Sequence, residues 1–473
     1  MQSHHTMTLG LLSLALAAAP PCLSQTSPAS LPNAPEKSQA ILFASAQNGA
    51  PPSAPLPPLP QPGGIPTMLT QQQAEKIALA NNPHIQVSQL IAKVQHQAVR
   101  VQRADELPNI SGDLTGVQAN EGSRLSSGAL TASRLLTHGG GGLTLTQLIT
   151  DFGHTRNLVA SASLQEKARQ ADAEASREDI VLATDQVFFN TIEAQQTLKV
   201  AIQTVAARQD VTDQVAALTA SKLRSDLDLS FAQVNLSQSK LLQLDAQNNL
   251  DAAKAALSAV LGYDREMNYQ LVDDTGELKP VPPSADPLIV QAIQNRPDLQ
   301  ALRFSEEAAR KFSRAQHEQL LPTISALGVA GETFSGSSQY FNSNFYGAIG
   351  GNLSIPIFEG FRLQAEASQA GLQAQAATQQ TRVLRDAVVR DVRTAWLNAN
   401  TAMQRVIVTG ELLKEANTAL TLAQTRYQLG LSSIVELSQA ELQQTQAAIG
   451  NANARSQYGF ALSTINFQTG VQP

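Results

Sequence analysis

Cysteine is almost absent from this 473-residue sequence. The one thiol, Cys22, lies near the start, so the rest of the chain has neither a disulfide framework nor a cysteine-based metal site. Aromatic residues make up only 4% and charged residues only 15%. That profile suits long helices packed through small side chains better than a large globular core. The net charge of −6 argues against a nucleic-acid partner, which would need a clustered basic surface. No apolar run reaches the length of a membrane-spanning helix. The seven histidines are scattered without ligand spacing, so metal binding is not expected. No nucleophile elbow, phosphate loop or paired-carboxylate constellation points to an enzyme.

The start reads as an export signal, assigned to residues 1–24. Leu9 to Ala19 is apolar but too short to span a bilayer, and cleavage after Ala19 or Ser24 fits the small residues there. The segment ahead of it offers His4 and His5 but no Lys or Arg. Lipidation of Cys22 is the alternative, although Pro21 stands where a small residue would be wanted. Export without a membrane helix leaves a soluble periplasmic or secreted protein, or a β-barrel. Residues 20–66 hold 13 of the 23 prolines, so 25–66 reads as an extended tether.

Beyond the tether the chain repeats itself. Leu107-Pro108-Asn109-Ile110 returns as Leu321-Pro322-Thr323-Ile324, 214 residues later. Asn82-Pro83-His84 returns as Arg296-Pro297-Asp298 at the same offset. Asp151 and Glu359, Ala232 and Ala440, and Gly262 and Gly470 are each 208 apart. The offset thus changes once, by six residues, which places an indel in a loop between 111 and 150. Two large copies follow, 67–262 and 285–473, joined by a linker at 263–284.

Within each copy a broken helix leads into a strand-like segment and then a very long helix. Pro83 marks the break in 70–106. Residues 153–222 contain no proline and no glycine after Gly153, and 360–430 contain no proline. Heptads run through both: Val388, Ala395, Ala402, Thr409, Ala416 and Ala423, with a second seam from Val392 to Tyr427. The first copy keeps the register but is more polar, with Thr184, Thr191, Arg208 and Thr212 in the seams. At ~1.5 Å per residue, ~70 residues reach on the order of 100 Å. The shorter helices at 74–106 and 229–262 together match one long helix. They are expected to run beside it and meet midway, with the 263–284 linker as a belt there.

Residues 344–357 alternate with period two. Phe345, Ile349, Leu353, Ile355 and Ile357 share one parity, and small or polar residues fill the other. Leu143 and Leu145 alternate more weakly with Thr144 and Thr146 after the run Gly139 to Gly142. This pattern suits a lipid-facing wall with a wet interior. Each copy has room for two strands. Four strands cannot close, and an open edge is not viable in lipid, so the chain must oligomerise to complete a barrel.

Thr425 to Glu441, TRYQLGLSSIVELSQAE, resembles the second hairpin turn of the TolC family of outer-membrane efflux proteins. Arg426, Tyr427, Gly430, Ile434, Glu436, Leu437 and Ala440 carry the likeness. LSIPIFEG at 353–360 resembles the family's strand-to-helix turn, and Arg296-Pro297-Asp298-Leu299 the segment that opens its second repeat. The resemblance implies an α+β membrane protein: a duplicated strand-pair and long-helix unit. It further implies a homotrimer with a twelve-stranded β-barrel in outer-membrane lipid, continuing into a twelve-helix periplasmic α-barrel. The implied partners are a periplasmic adaptor protein and an inner-membrane transporter, and the implied role is the exit duct of an efflux pump or secretion system.

The resemblance also implies a gate at the hairpin tips. Asp228 matches an acidic gate position, Tyr427 the tyrosine that bonds to it, and Glu436 an acidic ring position. Ser432 and Gln439 stand where some members carry a gate arginine or a second aspartate; Arg224 is a substitute arginine. Leu223, Gly430 and Leu431 are candidate adaptor contacts, and Gly430 also reads as a turn residue needing positive φ. The competing reading of the charges is a set of solvated turn residues. A periplasmic adaptor or coiled-coil scaffold is the alternative for the whole chain; the duplication and the 344–357 alternation speak against it.

Overall fold

The computed structural model describes residues 68–118, 124–125, 133–134, 138–265, 269–272, 280–335 and 342–471, all within one unit, 64–473. The segments expected to be an export signal (1–24) and a tether (25–66), Cys22 and parts of the expected 263–284 linker lie outside the described residues.

The repeat opens with strand β1 (Met68–Leu69), α1 (Gln71–Asn81) and α2 (Pro83–Ala104). Thr70 caps α1 through a reciprocal capping box with Gln73. Pro83 ends α1 and starts α2, where its missing N–H costs nothing, and the Asn82 side chain accepts from His84 N at 2.9 Å. Strand β2 (Asn109–Val117) follows, then the short pair β3 (Arg124–Leu125) and β4 (Ser133–Arg134), then β5 (His138–Thr150). The long helix α3 (His154–Ala220) turns back as α4 (Asp226–Val260). After β6 (Gln270–Leu271), which pairs with β1, the order returns: α5 (Asp286–Asn295), α6 (Pro297–Glu318), β7 (Thr323–Ser335), β8 (Asn342–Ser354), α7 (Arg362–Gln428) and α8 (Ile434–Thr469). Helices α3 and α7 have 67 residues each.

Ladder register locates the single indel. Ile110 faces Leu145 across β2–β5, and Ile324 faces Leu353 across β7–β8. These are the same pair at offsets of 214 and 208, so the length change lies between the paired strands. The four strands form one antiparallel sheet in the order β2-β5-β7-β8. Ile110, Leu114, Leu143, Leu145, Ile349 and Leu353 share one face, and all are exposed. Strand β8 stops at Ser354, so Ile355 and Ile357 continue the apolar surface outside the ladder. Pro356 lacks the N–H that a ladder needs. On the opposite face the Tyr346 hydroxyl lies where a Cβ on Gly142 or Gly331 would stand. Those glycines make room for the ring.

The heptad seams are the helix–helix contacts. Val388, Val392, Ala395, Ala399, Val406, Ala416, Ala423 and Tyr427 are buried on α7. On α3 the threonines in the seam satisfy themselves: Thr184, Thr191 and Thr212 each donate to the carbonyl four residues back at 2.7 Å. That is how the first copy tolerates a polar seam. Helix α2 lies along the first half of α3 and α4 along its second half; α6 and α8 do the same for α7. The short helices meet midway, where Ala74, Ala78, Phe188, Phe189, Ile192, Leu257 and Leu261 form one cluster. Gly262 abuts Asn81 there, and Gly470 abuts Asn295 and Arg296 at the matching place. The Trp396 indole donates to Pro282 O at 2.7 Å, tying the described end of the linker to the middle of α7.

Candidate functional site

The gate residues predicted from the sequence cluster at the ends of the two helical hairpins. Each turn is built alike. Lys222 and Gly430 occupy left-handed backbone at φ 59° and 74°. Ser225 and Ser433 then cap the returning helices. Leu223 and Leu431 project from the tips at 71% and 67% exposure. Behind the tips, Val215, Ala232, Ala423, Tyr427, Ile434, Leu437 and Ala440 form a core that pins the two hairpins together.

Arg224 crosses from the first hairpin to the second. Its Nη2 donates to the Tyr427 carbonyl at 2.9 Å, and its Cζ lies 4.5 Å from the centre of the Tyr427 ring. A cation over an aromatic face is attractive, so this contact ties the tips. Asp228 and Tyr427 do not bond. Asp228 is the third residue of α4 and completes a capping box, its carboxylate accepting from Ser225 N at 3.4 Å. The Tyr427 hydroxyl is buried without a hydrogen-bond partner. Burial pushes the Tyr427 phenol above its ordinary pKa; Arg224 opposes the rise and Asp228 adds to it. Glu436 closes its own turn instead of standing alone, with Arg426 Nε 3.0 Å from its Oε1. Both partners are about half exposed, so the pair contributes at most about 1 kcal/mol. Ser432, at the arginine position, has a buried hydroxyl without a partner.

Deeper ties between the hairpins went unread in the sequence. Asn235 Nδ2 donates to Ser438 Oγ at 2.7 Å, and the Thr204 and Thr445 hydroxyls meet at 3.3 Å. Arg208 and Glu441, both buried, approach to 3.8 Å across α3 and α8. Arg208 Nη1 also donates to Asn235 O at 2.8 Å. Burial pulls Arg208 down and pushes Glu441 up, and each charge opposes the shift of the other. The signal was present: Arg208 occupies a heptad position where its neighbours are apolar. Nothing at the sequence level marks Glu441 or Asn235 as its partners, because the α3–α8 register is a tertiary fact. Among the described residues no cluster of His, Cys, Asp and Glu is arranged to hold a metal ion.

The profile of the family described as "Outer membrane efflux protein" matches residues 76–263 and 288–471, one segment per repeat. The chain is 24% identical over 417 residues to the outer membrane protein TolC of Escherichia coli K12, covering 84% of this chain and 81% of that one. It is 25% identical to the outer membrane protein OprJ of Pseudomonas aeruginosa, covering 76% and 74%. In structure it superposes on the outer membrane protein VceC of Vibrio cholerae with a TM-score of 0.74 at 20% identity, over 85% of this chain and 96% of that one. With both repeats matched and the helical layer and sheet in place, this chain belongs to the outer membrane efflux protein family, the TolC-type channels of the outer membrane.

Proposed function

We propose that three copies of this chain close into one outer-membrane channel that serves as the exit duct of a tripartite efflux pump or type I secretion system. One observation carries this reading: the molecule is an open layer with two unsatisfied edges. Among the described residues, strands β2 and β8 each pair on one side only. An unpaired strand edge is intolerable in lipid, and three copies supply twelve strands, enough to close a barrel. The helical layer is open in the same sense, with α2 and α4 along one edge and α7 along the other. Val87, Val94 and Val101 on α2 and Leu227, Val234 and Leu241 on α4 are exposed at seven-residue spacing. Leu372, Val383, Val408 and Leu422 are exposed on α7. These stripes match a second copy packing edge to edge.

In this reading residues 1–24 direct export and are removed, 25–66 tether the channel, and 263–284 form a belt at the middle. Asp228, Tyr427, Glu436 and Arg224 act at a gate formed by the hairpin tips. Leu223, Gly430 and Leu431 meet a periplasmic adaptor, which bridges to an inner-membrane transporter. The family has no catalytic role, and transport through the duct is passive. The reading is tested by extracting the full chain from membranes and measuring its mass in detergent. A detergent-requiring trimer from the outer-membrane fraction is expected; a soluble periplasmic monomer would sink the proposal.

A further inference from the structure

The two repeats dock their first short helices on the long helices by different chemistry. In the second repeat α5 meets α7 through carbon, with Leu288, Ile289 and Ala292 packed on Leu384, Val388 and Val392. In the first repeat the positions equivalent to Ile289 and Arg393 hold Glu75 and Asp185. Both are buried, at 5% and 4% exposure, one on α1 and the other midway along α3. Both side chains line the same cavity, and Asp185 lies close enough to Glu75 to raise its pKa. Two carboxylates buried in one cavity repel when both are ionised, so the arrangement favours one proton held between them. The duplicated architecture forms without such a pair in its second copy. The pair is therefore not a requirement of the fold.

Neutral donors surround the pair: Ser463 and Gln71 act on Asp185, and Gln71 acts on Glu75. Glu75 and Asp185 line a cavity of about 240 Å³ where α1, α3 and α8 meet. Asp185 Oδ1 is buried without a hydrogen-bond partner. Gln71 Nε2 already donates to Ser463 Oγ at 3.1 Å. Lys76 on α1 is the cation that acts on Glu75. On α3, Glu178 lines the cavity, and it and Asp179 face Arg296 and Asp298 at the α5–α6 junction. Helix α8 adds Ser463 and Asn466 to the wall but no charge.

We propose that the proton shared by Glu75 and Asp185 is a clasp that holds α1, and with it β1 in its pairing with β6, against the middle of α3, and that alkalinity weakens this hold. Burial raises the pKa of both groups, and Asp185 adds to the rise at Glu75, which reaches about 8 from an ordinary 4.5. The sign follows from proton counting. Between those two values docked α1 binds one proton more than undocked α1. Docking is strongest below the window, weakens by up to about tenfold per pH unit across it, and stays weak above it.

Hydrogen exchange on the full-length trimer in detergent, corrected for intrinsic rates, tests the clasp, with α5 as reference within the same molecule. Protection of α1 relative to α5 is expected to fall by up to roughly tenfold per pH unit from about pH 5 to about pH 8. Glu75→Gln keeps a donor for Asp185 and cannot ionise, so it flattens that dependence while α1 stays protected. A pH-independent ratio in the unmodified protein overturns the proposal, as does an undiminished slope in Glu75→Gln. Should the variant not assemble, the slope of the unmodified protein decides alone.

Discussion

A few positions turn on whether a Cβ fits. Every residue with positive φ among those described has its counterpart 208 residues away: Phe152 with Gly360, Gly153 with Phe361, Lys222 with Gly430, and Gly262 with Gly470. The backbone path is shared by both repeats even where glycine is not, so Phe152, Lys222 and Phe361 carry a left-handed cost of about 1–2 kcal/mol each. Two helical glycines on α8 separate packing from propensity. A Cβ on Gly459 would meet the ring of buried Phe189, whereas one on Gly450 would meet nothing. Gly450→Ala is expected to stabilise by about 0.5–1 kcal/mol through helix propensity. Gly459→Ala is expected to lose that gain to overpacking and cost about 1–3 kcal/mol. Thermal unfolding of both variants in detergent checks the opposite signs.

Among the elements, the helical hairpin carries the proposed gate. Asp228 both caps α4 and bears a charge at the tip. The Asn side-chain oxygen can still accept from Ser225 N, so Asp228→Asn removes the charge while keeping the capping-box bond. Glu436→Gln removes the partner of Arg426. In planar bilayers each variant is expected to raise open probability or weaken cation block, because rings of carboxylates act through their summed field. Conductance and block unchanged in both would demote these residues to solvated turn charges. The elements themselves were largely legible beforehand. Absence of Pro marked α3 and α7 to within about two residues, with Gly371 and Gly410 inside α7, and Pro83 and Pro297 marked the breaks. The Arg224–Tyr427 contact was not legible, because it joins residues 203 apart that only packed hairpins bring together.

For the whole molecule, the apolar face of the sheet decides where the chain resides. Ile349 is 94% exposed on that face, and Asn352 lies on the other. A charge at Ile349 is expected to cost about 2–4 kcal/mol per copy if it sits near the bilayer midplane. Ile349→Arg is therefore expected to reduce the yield of outer-membrane trimer sharply, while Asn352→Arg leaves it near normal. Equal yields would show that the apolar face does not meet lipid.

Periodicity and punctuation are local properties, and they were written in the sequence. They determined the duplication, the long Pro-free helices, the heptad seams and the alternating strand. The position of the single indel was also fixed to the β segment, because the flanking offsets of 214 and 208 bracket it. Tertiary structure alone decided which side chains meet. It turned Asp228 back into a cap and left the Tyr427 hydroxyl alone. It set Arg224 over an aromatic ring and paired Arg208 with Glu441. It also buried two carboxyls between α1 and α3 where the second repeat buries carbon. These outcomes depend on the register between helices distant in sequence, and a one-residue slip in that register would bring different partners together.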